Sequence, residues 1–202
     1  MAPVAINKKL NLVLPVETDA GKIWVHSVPI SREVFESNYL LLTKTLAELY
    51  INGIGPAFGP RIAKLTLRDV AKEMNEEEDI SINLINEVHR LTNFLMPSTN
   101  GSGWQTISLH EVIQKKLVDE AIISEVENAV IYFIVASAVH LKSELQMAMQ
   151  GLKTNWKAQT TLLTVTEYGN SLMTSTPQES TGEKTIVAPQ KPMAPRVSSV
   201  PS

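Results

Sequence analysis

The run "AVIYFIVASAV", Ala129–Val139, constrains this chain more than any other stretch. Its eleven residues carry no charge. A helix that is apolar nearly all round has no polar face to turn to water, so it belongs inside a core. A membrane-spanning helix takes roughly 20 apolar residues, about twice the length of this run. The expectation is therefore a buried central helix on which the other elements pack. A chain of 202 residues has room for such a core within one domain.

What surrounds the run reads as mainly helical, with strands at the N-terminus. In "KLNLVLPV" (9–16), Leu10, Leu12 and Leu14 alternate with Asn11 and Val13, the period of a strand. After the turn-forming "ETDAG", the segment "KIWVHSVP" sets Ile23, Val25 and Ser27 against Trp24, His26 and Val28. The two read as a β-hairpin, which needs a further surface to lie on. "PISREVFESNYLLLTKTLAELYING" is punctuated as a helix. Ser31 is its N-cap, Glu33 sits in its first turn, Ile30 and Phe35 have staple spacing, and Gly53 ends it.

Beyond the loop "IGPAFGP", Pro60 suits the first turn of a second helix, with Ile62, Leu65, Val70 and Met74 on one face. "NEEED" (75–79) is a solvated connector. "SINLINEVHRLTNFLM" places Leu84, Ile85, Val88, Leu91 and Leu95 in one stripe, predicting a helix closed by Pro97. "WQTI" is a short strand candidate. Ser108 and Glu111 form a capping box opening a short helix to Lys116, and Ser124 and Glu127 form a second one opening the long apolar helix. A further helix is expected over 143–150, broken by Gly151, and another over "TNWKAQTTLLTVTEYGNSL" (154–172). The predicted fold class is mainly α (α+β). An N-terminal β-hairpin packs on a bundle of about six helices, forming one domain over 1–172.

From Met173 onward the composition changes. This stretch holds five of the eleven prolines and no aromatic residue. It buries too little apolar surface to offset its ordering entropy, so 173–202 is expected to be a disordered Pro/Ser/Thr-rich tail.

Chemistry leaves few marks. The net charge is −3, which argues against nucleic-acid binding through a general basic surface. With no cysteine, thiol nucleophiles, disulfides and thiolate metal sites are excluded. His26, His89, His110 and His140 show no metal-ligand spacing and read as surface or boundary residues. "GIGPAFG" (53–59) reads as a helix–helix turn, since a helix precedes it and Pro56 lacks the N–H a phosphate loop would use. "TGEKT" lacks the first glycine and the strand of a P-loop. Glu76, Glu77, Glu78 and Asp79 lack the alternate spacing and glycine of a calcium loop. Asn100-Gly101-Ser102 matches a glycosylation acceptor, but the N-terminus does not read as a secretory signal. Trp24, Trp104 and Trp156 read as core or boundary packing. No catalytic residue, cofactor site or metal site is expected. Neither is a membrane span, and the chain is expected in the cytosol.

Three strings occur in a suggestive order: "PISREVFE" (29–36) after a hairpin, "SEVENAVIYFIVAS" (124–137) opening the long helix, and "NSLMTST" (170–176) before the tail. In this order, over roughly residues 5–176, the chain resembles the tail assembly chaperones of long-tailed, siphovirus-type bacteriophages. The resemblance implies a non-enzymatic protein that binds the tape measure protein, keeps it soluble and promotes assembly of tail tube protein around it. It implies residence in the bacterial host cytoplasm and absence from the mature virion, with self-association as a further contact. It also implies a longer form made by a ribosomal frameshift near the end of the short one. Glu183-Lys184 can be encoded GAA-AAA and the Thr185 codon begins with A, so a run of A bases, a slippery template, can span them. The alternative is a virion structural protein, a tail tube or tail completion subunit, though such proteins are usually richer in strands.

If the fold ends where the composition changes, truncation after Met173 leaves the melting temperature within about 2 °C of the full chain, a shift worth at most about 1 kcal/mol. A clear loss of thermal stability would show that the tail packs.

Overall fold

The computed structural model describes residues 10–19, 21–51, 53–75, 79–98, 103–140 and 142–174. The tail from residue 175, with Glu183 and Lys184, lies outside the described residues. So do Asn100–Ser102 and Glu76–Glu78. Eight helices and five strands are found among the described residues, a mainly α (α+β) fold.

The apolar run forms the C-terminal half of the central helix, numbered α5 in chain order (Glu120–Val139). Its buried residues include every position from Val126 to Ala136. The helix is 20 residues long with a mean hydropathy of 1.6, long and apolar enough to cross a membrane, yet 67% of that window is buried inside the fold. The helix is longer than expected because its N-cap, Asp119, lies more than a turn before the expected Ser124. Asp119 accepts a hydrogen bond from the Ala121 N–H at 2.8 Å, so Ser124 is mid-helix.

Helices α1 (Arg32–Ile51), α2 (Gly55–Met74) and α3 (Ser81–Arg90) pack on α5. Ser31 caps α1 through the Val34 N–H, and Gly53 follows its end at φ +69°, both as expected. In contrast, α2 begins at Gly55, so Pro60 falls inside the helix. Pro56 is the proline in the first turn. The buried face of α2 is Gly59, Pro60, Ala63, Leu67, Val70 and Ala71, whereas Leu65, expected on it, is 60% exposed. Large side chains do not mark this face, because α2 approaches its neighbours largely through small ones. A Cβ on Gly59 would stand 2.6 Å from the Tyr132 ring of α5. The Tyr132 hydroxyl is fully buried and donates to the Ala148 carbonyl at 2.9 Å. Left unpaired it would cost about 1–3 kcal/mol. Burial, and then the nearby Tyr50 hydroxyl, push its pKa up.

The hairpin belongs to a larger sheet. Strands β1 (Asn11–Thr18), β2 (Gly21–Ser27), β3 (Thr92–Pro97), β4 (Trp104–Ser108) and β5 (Gln159–Thr161) are ordered β4-β3-β2-β1-β5, all pairs antiparallel. The inner face places Leu12, Leu14, Ile23, Val25 and Phe94 in the main core. The outer face gathers Val13, Leu95 and Tyr168, flanked by Trp24, Trp104, Val165 and Leu172. Tyr168 and Leu172 come from α8 (Val165–Thr174), which covers that face.

Two expected helices are corrected by this sheet. The stripe Leu84–Leu95 breaks at Arg90, because Thr92–Leu95 pair with Trp24–Ser27 of β2. The Thr92 hydroxyl donates to the Val88 carbonyl at 2.8 Å and lies 3.0 Å from Ser27 Oγ, sealing the helix-to-strand junction. Pro97 consequently ends a strand. Likewise, 154–172 is not one helix. Helix α7 (Gln150–Trp156) ends at Lys157 in the left-handed region (φ 52°), and β5 then zips onto β1 before α8 begins. Its threonines favour the strand. The short helices α4 (Leu109–Gln114), capped by Ser108 as expected, and α6 (Lys142–Ala148) complete the fold. Gly151, expected to break a helix, sits inside α7.

Gly151 is where α7 meets α2. A Cβ there would lie 1.6 Å from the Pro56 carbonyl oxygen, the acceptor that Pro60, without an N–H, leaves unused inside α2. Helix propensity alone would make Gly151→Ala stabilising by about 1 kcal/mol. The close approach reverses the sign, and urea denaturation should show a loss of about 3 kcal/mol or more. A stabilised variant would mean that the two backbones are not in contact.

Candidate functional site

Three features gather polar or exposed apolar groups. The first is internal. Glu127 of α5 has a side chain only 7% exposed. One oxygen accepts from Lys64 Nζ of α2 at 2.5 Å and the other from His89 Nε2 of α3 at 2.7 Å. The next residue, Asn128, accepts from the Lys64 N–H at 2.9 Å and donates to the Ser124 carbonyl at 2.8 Å. Burial alone would raise the Glu127 pKa, but the bonds to His89 and Lys64 outweigh it and hold it below the usual value. With both oxygens engaged, this carboxylate ties three helices together. It was expected to be half of a capping box, and sequence spacing gave no sign of partners 38 and 63 residues away.

The second is His26 on β2, fully buried rather than at the surface or boundary as expected. Its Nε2 lies 3.0 Å from the Leu163 carbonyl, and its Nδ1 has no hydrogen-bond partner among the described residues. The bond runs to the segment between β5 and α8, where Asn11 Nδ2 also donates to Leu163 at 2.9 Å. Burial lowers the His26 pKa against the smaller opposing effect of that bond.

The third is a trough along the N-terminal half of α5, where the helix leaves the core. Its largest recess, about 770 Å³, lies under the hairpin tip. Ile23, Met96, Val118 and Ile122 line it, with Glu17, Asp19 and Asp119 among its polar residues. A second recess of about 360 Å³ shares Glu17 and Ile122 with the first and runs along β1 to Trp156. A third, of about 420 Å³, shares Glu125, Asn155 and Trp156 with the second and reaches Arg61. Pro15 lies on the β1 stretch that β5 leaves unpaired on that side, and it removes one N–H from the exposed edge.

Elsewhere, Tyr50 and Ile51 at the end of α1, Phe58 in α2 and Met147 in α6 are 40%, 75%, 59% and 77% exposed. The Gly151–Pro56 contact brings the ends of α2 and α6–α7 together, so these side chains share one end of the bundle.

The remaining sequence candidates take plain roles. "GIGPAFG" is the α1–α2 turn and the first turn of α2, with Gly53 and Gly55 at positive φ. His110 is exposed, and His140 is the C-cap of α5, its ring 6.1 Å from that of Tyr50. Trp24 and Trp104 pack on the outer sheet face, Trp24 edge-on to Tyr168 at 5.9 Å, while Trp156 lines the trough. Among the described residues, no group of three His, Asp or Glu side chains is gathered to hold a metal ion. No family model matches the chain, and no curated protein or solved structure does so either.

Both titrating groups destabilise the fold in acid. The folded His26 resists a proton that the unfolded chain takes up near pH 6.5. Stability is thus full above about pH 6.5 and falls as the pH drops toward the lowered folded value. Glu127 adds a second loss below about pH 4.5. In a melting-temperature series, His26→Leu should flatten the upper part of the decline and leave the lower part in place. An unchanged profile would mean that His26 is protonated as readily in the folded chain as in the unfolded one.

Proposed function

We propose that the chain is a bacteriophage tail assembly chaperone that binds the tape measure protein, keeps it soluble and promotes assembly of tail tube protein around it. The observation that carries this reading is the trough. Two open recesses that share Glu17 and Ile122 lie beside the N-terminal half of α5 over apolar residues, the kind of surface on which an amphipathic helix buries its apolar stripe. A tape measure protein is a very long helical chain, so it offers such stripes repeatedly. The exposed Tyr50, Ile51, Phe58 and Met147 add a second apolar surface, as holding an extended client requires. The order of the three sequence strings supports the same reading. The chain acts, on this view, as a binding protein in the host cytoplasm and leaves before the virion is complete.

One observation favours a second reading, a tail tube or tail completion subunit. The sheet has five strands where the sequence suggested little more than a hairpin. Mass spectrometry of purified particles separates the two, since a chaperone is absent and a structural subunit abundant.

Co-expression with the tape measure protein of the same phage should shift that protein from the pellet to the soluble fraction and yield a complex on pull-down. Ile122→Glu, at a position shared by the recesses of about 770 and 360 Å³, should lose most of the captured client while the chain stays folded. A client equally soluble and unbound with or without this chain would refute the proposal.

A further inference from the structure

The recess under the hairpin tip has a charge pattern that narrows what it can bind. Its lining contains three carboxylates, Glu17, Asp19 and Asp119, and no Lys or Arg. They are exposed at its rim, while Ile23 is 5% exposed and Met96, Val118 and Ile122 are partly buried beneath them. Leu117, 46% exposed, extends the apolar surface outward. Lys22 lies 3.8 Å from Glu17 and offsets one of the three charges. The N-terminus of α5 carries about half a positive charge, less than the full negative charge of the Asp119 that caps it. The rim thus stays negative around an apolar floor. Its volume of about 770 Å³ falls within the roughly 300–1,000 Å³ of sites that bury a ligand. That takes the anchor side chains of a helix rather than a whole helix, which is about 10–12 Å wide.

We infer that this recess accepts an amphipathic helix of another protein whose apolar stripe is flanked by Lys or Arg. The apolar anchors enter over Ile23, Met96 and Ile122, and the cations meet Glu17, Asp19 and Asp119 at the rim. Such rim pairs select a partner more than they tighten it. The inference deepens the chaperone reading and rests on it for the source of the helix: it states which client segments dock here.

The test uses the full chain and two synthetic helical peptides of about 18 residues, about five turns. Both carry the same Leu stripe, flanked in one by Lys and in the other by Glu, and fluorescence anisotropy reads binding. The Lys peptide should bind about tenfold tighter or more, and the gap should shrink at about 1 M salt. Glu17→Lys with Asp19→Lys, both exposed positions, should close the gap. Glu33→Lys on α1 should not, and Ile122→Glu should weaken both peptides.

Equal affinities, or a gap that Glu33→Lys closes as well, would overturn the charge inference while the tape measure pull-down could still succeed. Failure of both peptides would remove the recess as a docking site. Binding that appears only after residues 175–202 are deleted would assign the recess to the chain's own terminal segment. Binding that is lost as the chain dimerises would assign it to a second copy. Either result overturns the inference.

Discussion

The burial of α5 is the constraint on which the rest of the structure depends. From Val126 to Ala136 every residue of this helix is buried, so the fold must supply apolar surface on nearly every side. Each fully buried large apolar side chain contributes roughly 1.5–3 kcal/mol. That gain is realised only if neighbours come close, and the chain achieves this with small residues. Gly59 and Ala63 let α2 lie against the Tyr132 side of α5, and Gly151 lets α7 lie against the Pro56 end of α2. Two polar side chains that such packing traps on α5 find partners. Tyr132 reaches the Ala148 carbonyl, and Glu127 reaches Lys64 and His89.

The same helix links core to surface. Toward its N-terminus α5 rises out of the core, so that Glu120, Ser124 and Glu125 are exposed while Ile122 is partly buried. The hairpin tip and the β3–β4 strands end beside it, leaving the recess between them. A partner seated there would touch a helix whose other half is locked in the core. A site of this kind would be preorganised, and binding there would forgo little ordering entropy. His26 supports the opposite end of the sheet, fixing the segment that leads into α8 across the outer face.

Much of this was legible in the sequence, and the failures have physical causes. The central helix, the hairpin, the Ser31 and Ser108 caps and the Gly53 stop are local features, and local rules found them. The helix expected through Met96 and the one expected over 154–172 failed because β2 and β1 recruit Thr92–Leu95 and Gln159–Thr161 as strands. Such pairing overrides a helical period that continues by coincidence, as Leu91 and Leu95 do. The α2 face was misread because its contacts are made by Gly and Ala. Nothing in the local spacing could find the trough, whose lining comes from β1, β2, β3, β4, α5, α7 and the turns before α5. Only the third dimension brings Glu17, Asp119 and Ile122 together.

Hydrogen exchange of the chain alone and with the client proposed for it tests the central claim most directly, because it reads core and trough in one experiment. The amides of Val126–Ala136 should exchange slowest in both states, close to the global unfolding limit. Client binding should add protection at Glu17–Asp19 and Leu117–Ile122. Fast exchange across Val126–Ala136, or new protection at Tyr50–Phe58 and Met147 with none at the trough, would contradict it.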